Sequence, residues 1–385
     1  MTNASCDIVV VGGGMAGLTM AAMLAQQSSC SIMILEAKTQ LNAWHNSKPD
    51  ERVSAFAVSS QRIFNDLGIW KTLFESRVSP FERIEVCDVA QLGQISFDSR
   101  EIAEPVLGYI IENNLVESVL AASLKTYSHV AIHTDIHLHS LENNDDEAHL
   151  VLSDGSRIQS KLMIAADGAQ SWVRQAAGIT ATTYDYQQKG LVATVTTEKP
   201  HERIARQHFL ASGPLAFLPL QDPHQCSIVW TLPNDVAEQY QALPQDEFIA
   251  RLENAFRKQL GQIATVSERF LFPLKYQYVN EYLKGRVVLI GDAAHTIHPL
   301  AGQGINMGLL DADNLSTALN AANFDFSQRV HRYLRQYERA RKADNRLMLN
   351  GVHAMQRLFL SEAKSIQKIR SDANEPSSTV RIFVN

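Results

Sequence analysis

Cysteine is scarce in this sequence. Its 385 residues include four, Cys6, Cys30, Cys87 and Cys226. They are widely separated and form no C-x-x-C pair, which argues against a disulfide framework and against the usual zinc motifs. Such a pattern is typical of a protein that works in a reducing compartment. The sequence therefore predicts a cytoplasmic location.

Long apolar runs are lacking as well. No segment approaches the roughly eighteen consecutive apolar residues of a membrane-spanning helix. The first residues, M-T-N-A-S-C-D, place no basic region ahead of an apolar stretch, so we expect no signal peptide. Apolar residues make up 45% of the chain and charged residues 20%, which is ordinary for a soluble globular protein. The length suggests two or three domain-sized units, or one large α/β body with an insertion.

An excess of positive charge is the third absence. The formal net charge is −6, whereas nucleic-acid binding needs clustered Lys and Arg, so we exclude a nucleic-acid partner. His133, His137 and His139 fall at alternate positions of one predicted strand and could share a face. No carboxylate or thiolate is spaced to complete a metal site with them. We interpret them as strand-surface residues and predict no metal site.

A glycine-rich turn lies between two β-branched strands near the start of the chain. Residues 12–17 read G-G-G-M-A-G, and the second strand ends at Glu36. In the dinucleotide-binding fingerprint, Gly12 permits a tight turn, Gly14 permits approach of a pyrophosphate, and Gly17 permits close helix–strand packing. Glu36 can bind ribose hydroxyls. The pattern predicts a Rossmann-type unit; its N-terminal position suits FAD, although the fingerprint alone leaves NAD open.

Two further apolar strands end in an aspartate. Residues 162–166 lead into Asp167-Gly168, and residues 287–290 lead into Gly291-Asp292. Ligands of open α/β sheets bind at the carboxyl ends of the strands. After Asp292 come a glycine-rich loop and a predicted helix, whose start brings a partial positive charge to a ligand. These features together predict a site for an extended flavin nucleotide.

The stretch from Gly291 reads G-D-A-A-H-x-x-H-P-x-A-G-Q-G-x-N-x-G-L-x-D. It resembles the signature of the FAD-dependent aromatic hydroxylases of ubiquinone biosynthesis, which belong to the p-hydroxybenzoate hydroxylase class. The resemblance spans roughly residues 7–360. The run E-R-I-E-V-C-D with Gly93 is most similar to the 2-polyprenyl-6-methoxyphenol hydroxylases, although sister ring hydroxylases share most of the motifs.

The resemblance, together with the motifs above, implies a set of cofactor-binding residues: Gly12, Gly14, Ala16, Gly17, Glu36, Arg52, Asn113, Asp167, Gly168, Asp292, Gly302, Gly304, Ile305 and Asn306. For Asn113 an N-terminal helix cap is an equal alternative. His298 and Pro299 are implied to lie beside the flavin and to help exclude water. The run around Phe217 and Pro219 is apolar enough for a substrate pocket, and it fits a plain sheet core equally well.

The chemistry that the resemblance implies is phenol hydroxylation by O2. FAD is reduced by NAD(P)H or another electron donor, and a C4a-hydroperoxyflavin transfers an oxygen atom to a polyprenylated phenol. The alternatives are a sister ubiquinone ring hydroxylase and a flavin-dependent reductase or dehydrogenase on the same fold. A lipid-like substrate leaves open a peripheral contact at the inner face of the membrane. The resemblance also leaves open that the protein forms a homo-oligomer or an assembly with other ubiquinone-biosynthesis proteins.

The expected architecture is α/β. We predict a discontinuous Rossmann-type FAD-binding domain over residues 1–75, 101–180 and 281–345. A second, mostly antiparallel β-sheet substrate domain would occupy residues 76–100 and 181–280. Residues 346–385 would form a C-terminal helical tail with a disordered end.

Overall fold

The computed structural model describes residues 3–45, 50, 52–88, 93–297 and 303–360. Of residues 88, 93–94 and 352–360 only the backbone is described. His298, Pro299 and Gly302, and the tail beyond residue 360, lie outside this range, so the predictions for them stay predictions.

The strands and helices alternate along the chain. The strands are β1 (Ala4–Val11), β2 (Ile32–Leu35), β3 (Val53–Ala57), β4 (Val78–Phe81), β5 (Arg83–Asp88), β6 (Gly93–Asp98), β7 (Gly108–Glu112), β8 (Val130–His133), β9 (Leu138–Asn143), β10 (Ala148–Leu152), β11 (Arg157–Ala165), β12 (Ala181–Thr197), β13 (Ile204–Leu210), β14 (Gly213–Pro219), β15 (Gln225–Pro233), β16 (Ile263–Val266), β17 (Phe270–Val279), β18 (Leu283–Lys284), β19 (Val287–Leu289) and β20 (His295–Thr296). The helices are α1 (Met15–Gln27), α2 (Val58–Asp66), α3 (Trp70–Arg77), α4 (Asn113–Leu124), α5 (Trp172–Ala176), α6 (Asn234–Ala242), α7 (Gln245–Ala255), α8 (Gly304–Ala321) and α9 (Val330–Leu360).

The first sheet has the order β18-β19-β11-β1-β2-β8, with β10 and β9 added beside β11. Strands β19, β11, β1, β2 and β8 run parallel to one another. Their residues are mostly buried Val, Ile, Leu and Met, as expected when helices cover both faces of a parallel sheet. The carboxyl ends of β2, β1, β11 and β19 therefore lie side by side at one edge.

The second sheet is mostly antiparallel, with the order β20-β17-β12-β15-β14-β13-β5-β6 and with β16 paired to β12. Strand β5 is the exception, because it pairs in parallel with β13. A small third sheet has the order β3-β7-β4. The combination of a parallel sheet, an antiparallel sheet and C-terminal helices confirms the predicted fold class; the domain boundaries stay a prediction.

Two sequence patterns differ from the structure. Residues 247–260 have the amphipathic pattern of a single helix, but α7 ends at Ala255 and the chain turns through Arg257 and Lys258, which have φ values of 54° and 53°. His133, His137 and His139 do not share a strand, because a turn at Asp135 (φ 60°) separates β8 from β9. Within the described residues, no group of three or more potential metal ligands is found.

Helix α9 is the longest helix of the described residues, and it reaches Leu360, where the described part of the chain stops. Among the described residues, no helix combines the length and the apolar character needed to cross a bilayer.

Candidate flavin site

The site is built from four adjacent strand ends. Glu36 follows β2, Gly12 follows β1, Asp167 follows β11, and Asp292 follows β19. Backbone hydrogen bonds lock these ends together: Gly12 N–H donates to Leu35 O at 2.8 Å, and Ile290 N–H donates to Ala165 O at 3.0 Å. Neighbouring strands lie about 4.8 Å apart, so the four ends span roughly 15 Å. That length suits an extended dinucleotide.

The three fingerprint glycines differ in what surrounds them. A Cβ at Gly12 (φ 109°) would stand 2.3 Å from Ala166 O, and a Cβ at Gly17 would stand 2.1 Å from Gly12 O. Both positions therefore exclude any side chain. A Cβ at Gly14 would meet only Glu117 Oε1, at 3.9 Å. Gly14 thus borders open space at the start of α1, where a pyrophosphate is expected.

The starts of α1 and α8 are packed against each other through residues with almost no side chain. A Cβ at Gly291 would stand 3.3 Å from the Ala16 Cβ, and a Cβ at Gly308 would stand 3.3 Å from Gly291 Cα and 3.6 Å from Ala16 Cβ. We call Ala16, Gly291 and Gly308 the small-residue junction. It brings the fingerprint turn and the beginning of α8, at Gly304 and Ile305, to one side of the sheet edge.

Asp292 lies in a concavity. Its side chain is accessible to water, yet the protein packed around it raises its pKa by desolvation, against a lowering effect of His295 and Arg52. The Arg52 guanidinium lies 4.9 Å from the centre of the Phe272 ring on β17. Arg52 is therefore near both the Asp292 turn and the antiparallel sheet.

Asp167 is partly buried, and one of its two carboxylate oxygens lacks a hydrogen-bond partner among the described residues. Its Oδ2 accepts a hydrogen bond from Val173 N–H at 3.0 Å, while its buried Oδ1 has no partner among the described residues. Desolvation raises the pKa of this carboxyl. A buried polar atom without a partner is costly, and a ligand donor would remove that cost. Gly168, with φ 83°, allows the sharp turn that follows.

Arg174 joins two loops of the site, a role that the sequence did not reveal. This buried side chain donates to Ala293 O at 2.9 Å and to Ala169 O at 3.0 Å. The Asp167 and Asp292 turns are thereby held at a fixed separation. Burial lowers the pKa of the Arg174 guanidinium.

Glu36 accepts hydrogen bonds from the loops around it. Its Oε2 accepts from Gly13 N–H at 2.6 Å, and its Oε1 accepts from Lys38 N–H at 2.9 Å. The carboxylate is partly exposed, so lone pairs remain available for ribose hydroxyls.

The Asn306 side chain is engaged within the protein. Its Oδ1 accepts from Ala57 N–H at 2.9 Å and from Ser60 Oγ–H at 2.7 Å, and its Nδ2 donates to Ala55 O at 2.9 Å. The side chain is buried and ties α8 to β3 and α2. The cofactor contact predicted for Asn306 stays a prediction.

Asn113 is not the cap of α4. The N-cap residue is Glu112, and Asp50 Oδ2 accepts from Asn114 N–H at 3.1 Å in the first turn. The Asn113 Oδ1 instead accepts from Ser54 Oγ–H at 2.8 Å. The capping alternative is therefore wrong, and the cofactor contact stays a prediction.

A buried polar network behind the site centres on Asp311 of α8. Four groups donate to its two oxygens: Gly291 N–H at 3.0 Å, His295 Nε2 at 2.6 Å, Arg341 Nε at 2.8 Å and Asn345 Nδ2 at 3.0 Å. Because Asp311 accepts, His295 Nε2 carries a proton. The network couples α9 to the turn that holds Asp292. The sequence signal that could have revealed this network was an aspartate, Asp311, on the apolar face of a predicted helix.

The antiparallel sheet has one covered face and one open face. Partly exposed side chains form a row across four paired strands, Val192, Val229, Ala216 and Gln207. We call these four residues the open face. Phe272 lies on the same side, because its neighbour in sequence, Leu271, packs into the covered core.

The substrate contact predicted for Phe217 is wrong. Side chains alternate between faces along a strand, and Phe217 lies on the covered face, 1% exposed, with its ring centre 3.7 Å from that of Phe256. Pro219, two residues further along β14, is buried with the same alternation. The neighbouring position Ala216 belongs to the open face, whereas Leu218 packs against the cluster of Phe81 and Ile110 in the third sheet.

These observations fit FAD. Three features lie along one sheet edge: the open space beside Gly14, the Asp167 oxygen that has no partner among the described residues, and the accessible carboxylate of Asp292. In addition, two helix N-termini begin there at Met15 and Gly304, and neither N-cap residue provides a side-chain cap in the described structure. Such helix starts attract phosphates and other anions.

Comparison with known proteins supports the assignment. The model of the FAD binding domain family matches residues 5–350. The chain belongs to this family. This flavoprotein is 34% identical over 353 residues to 3-demethoxyubiquinol 3-hydroxylase of Escherichia coli (strain K12), covering 91% of this chain and 89% of the relative. It is also 34% identical over 365 residues to ubiquinone hydroxylase UbiL of Rhodospirillum rubrum, covering 94% and 84%.

Among solved structures, PqsL of P. aeruginosa in complex with 2-aminobenzoylacetate is similar with a TM-score of 0.80 at 18% identity. The match covers 95% of this chain and 99% of that one, and at this identity it shows the fold alone. The flavoprotein is thus an FAD-dependent monooxygenase of the class that uses O2 and a nicotinamide electron donor. Its family resemblance to the ubiquinone-biosynthesis hydroxylases is confirmed.

Proposed function

We propose that this flavoprotein hydroxylates the aromatic ring of a polyprenylated phenol in ubiquinone biosynthesis. The observation that carries the proposal is the open face of the antiparallel sheet. It is apolar except for Gln207 and is partly exposed. Arg52, which lies over Phe272 and also acts electrostatically on Asp292, connects it to the flavin edge. A flat apolar surface opposite a flavin suits an aromatic ring that carries an apolar substituent.

Within that class we propose 2-polyprenyl-6-methoxyphenol as the substrate. The second candidate is a 3-demethoxyubiquinol, because a relative at 34% identity bears that activity in its name. A lipid-like substrate further predicts a peripheral contact with a membrane. Assembly with other proteins of the pathway and a homo-oligomer stay predictions of the same kind.

The residues of the chain have separable tasks in this proposal. FAD, once bound and reduced, would activate O2 for transfer of one oxygen atom. The fingerprint turn would hold the diphosphate, Glu36 the ribose and Asp292 a hydroxylated chain. The positive start of α8 at Gly304 would favour negative charge on the cofactor. The open face would orient the ring and exclude water, which suppresses side reactions.

The test is oxygen incorporation. Purified protein loaded with FAD is incubated with NAD(P)H, 18O2 and short-chain analogues of both candidate substrates. We expect one labelled oxygen in the product of one analogue by mass spectrometry. Flavin turnover under anaerobic conditions with an organic acceptor, without label in any product under 18O2, would instead identify a reductase or dehydrogenase.

Enlarging one open-face residue should block the substrate and spare the flavin. In Ala216→Phe the added ring would occupy the space between the sheet and the flavin edge. We expect kcat/KM to fall about tenfold or more, the range in which pockets discriminate by size. The flavin absorbance per protein should stay unchanged.

The matched control is Ala264→Phe, at an exposed position of β16 in the same sheet. It should retain full activity. Equal losses in the two variants, or an unchanged kcat/KM for Ala216→Phe, would remove the open face from the substrate site.

A further inference from the structure

Glu117 is an acidic residue at a place where an anion is expected to bind. It lies on α4, half-buried, and among the described residues outside the immediate chain neighbours its Oε1 is the one atom within 4 Å of a Cβ built on Gly14. Gly14 is the N-cap of α1, and the first N–H within α1 to find an intrahelical acceptor is that of Leu18, which donates to Gly14 O at 2.9 Å. The preceding N–H groups of the first turn are the ones a phosphate would use. Glu117 therefore lies beside the expected position of the flavin diphosphate.

The charged form of Glu117 has its own support in the protein. Its Oε2 accepts from Asn42 Nδ2 at 2.6 Å, and Asn42 Oδ1 in turn accepts from Lys38 Nζ at 3.5 Å. The carboxylate and the diphosphate would thus compete for the same positive helix end.

The charges that face Glu117 come from several elements. Burial raises its pKa, and Glu36 at the end of β2 acts in the same direction. The hydrogen bond from Asn42, Lys38 after β2 and Arg52 before β3 act in the opposite direction, and the net result is a raised pKa. The start of α1 also favours the carboxylate. Two diphosphate charges added at this point would oppose it at close range.

We propose that Glu117 is the residue through which FAD binding is coupled to proton uptake: its carboxylate gives way to the flavin diphosphate at the start of α1 by taking up one proton. The protonated carboxyl can then donate a hydrogen bond to a phosphate oxygen instead of repelling it. This inference concerns cofactor binding and does not depend on the identity of the ring substrate.

The sign of the pH effect follows from linkage. The FAD complex binds one more proton than the free protein, so FAD affinity must rise as the pH falls. The effect is confined to the pH window between the pKa of Glu117 in the free protein and its higher pKa in the complex. Within that window the dissociation constant changes at most about tenfold per pH unit for one proton.

The experiment measures FAD dissociation from full-length holoprotein by the return of free flavin fluorescence on dilution, from pH 6 to pH 8.5. Wild type should bind FAD progressively more weakly as the pH rises. Glu117→Gln keeps the shape without the charge, so it should bind more tightly than wild type at pH 8.5, on the order of tenfold. The two proteins should converge toward pH 6.

Titration calorimetry measures the proton uptake on FAD binding directly. FAD is added to the apoprotein at pH 7.5 in two buffers that differ in ionisation enthalpy. Wild type should take up a fraction of a proton approaching one, and Glu117→Gln should lose most of that uptake. Free FAD has no group that titrates near this pH, so the difference between the two proteins reports on the protein.

The control is Glu142→Gln, exposed on β9, which should behave as wild type. Thermal unfolding of each apoprotein checks that the variants fold. The proposal is overturned if Glu117→Gln keeps the pH dependence of wild type, or if it binds FAD more weakly at every pH. Failure of the hydroxylation assay would leave these binding results unaffected, so the two proposals fail separately.

Discussion

Asp292→Ala should yield a folded protein that no longer retains flavin. The carboxylate lies at the carboxyl end of β19, accessible in a concavity where a hydroxylated chain can donate to it. A hydrogen bond to a charged group contributes about 1.5–3 kcal/mol. Its loss should weaken FAD binding by roughly ten- to two-hundredfold. The measurement is the ratio of flavin to protein absorbance after purification, and the dissociation constant on adding FAD back.

The stability of the apoprotein should not fall in this variant. Burial raises the pKa of Asp292, and an acid with a raised pKa in the folded state costs stability when it is ionised at neutral pH. Alanine removes that cost. We therefore expect the Asp292→Ala apoprotein to unfold at a temperature equal to or above that of wild-type apoprotein, and Asp292→Asn to bind FAD with intermediate affinity. Stoichiometric flavin in purified Asp292→Ala would show that this carboxylate does not hold the cofactor.

Asp311→Ala should destabilise the protein more than any surface substitution. The variant leaves the Arg341 Nε–H and the Gly291 N–H without their acceptor, and among the described residues the buried guanidinium keeps only its contacts with Asp344 and Asn345. Breaking a buried ion pair from one side typically costs about 3–5 kcal/mol, because the remaining charge stays buried. We expect a loss of this size in the free energy of unfolding, measured by urea denaturation of the apoprotein. Flavin affinity should fall too, since Gly291 precedes Asp292.

Two further variants separate charge from side-chain volume. Asp313→Ala, two residues further along the same helix and only partly buried, should change stability by less than about 0.5 kcal/mol. The double variant Asp311→Ala with Arg341→Met should recover part of the loss, because no unpaired charge remains. A double variant that simply adds the two single effects would show that Asp311 and Arg341 do not stabilise each other.

The stability that Asp311 provides also has a defined pH range. Burial alone would raise its pKa, but the charges and hydrogen bonds of His295 and Arg341 outweigh burial and lower the pKa from 3.8. A carboxylate with a lowered pKa contributes its full stability above the unfolded pKa and loses it as the pH falls through the folded one. The difference between wild type and Asp311→Ala should therefore be constant from about pH 5 to pH 8 and shrink below pH 4.

The local parts of the site could be predicted from the sequence because their physical requirements are local. Gly12 and Gly17 have backbone neighbours within 2.3 Å of a hypothetical Cβ, and no residue other than glycine satisfies such a contact. The apolar strands that end at Asp167 and Asp292 pair in parallel, so their carboxyl ends lie at the same sheet edge, where ligands of such sheets bind.

The long-range parts could not be predicted in the same way. The roles of Asn306, Arg174 and Asp311 depend on hydrogen bonds to residues as far as 251 positions away, and no spacing in the sequence encodes these partners. Phe217 shows the limit in another form. The apolar run that forms β14 was recognised in the sequence. Which face of β14 is covered depends on Phe256, which follows α7, and α7 ends earlier than the helical pattern indicated.

The small-residue junction has a consequence for how the molecule could change over time. The two helix starts that would receive opposite ends of the cofactor touch through one methyl group and two bare backbones, so neither helix can be displaced without displacing the other. Insertions in the surface connections should leave cofactor affinity nearly untouched, whereas a single added carbon at this crossing would alter the separation of the two receiving ends. The contact between the two helices, and not the surrounding loops, thus determines how long a cofactor the site can accept.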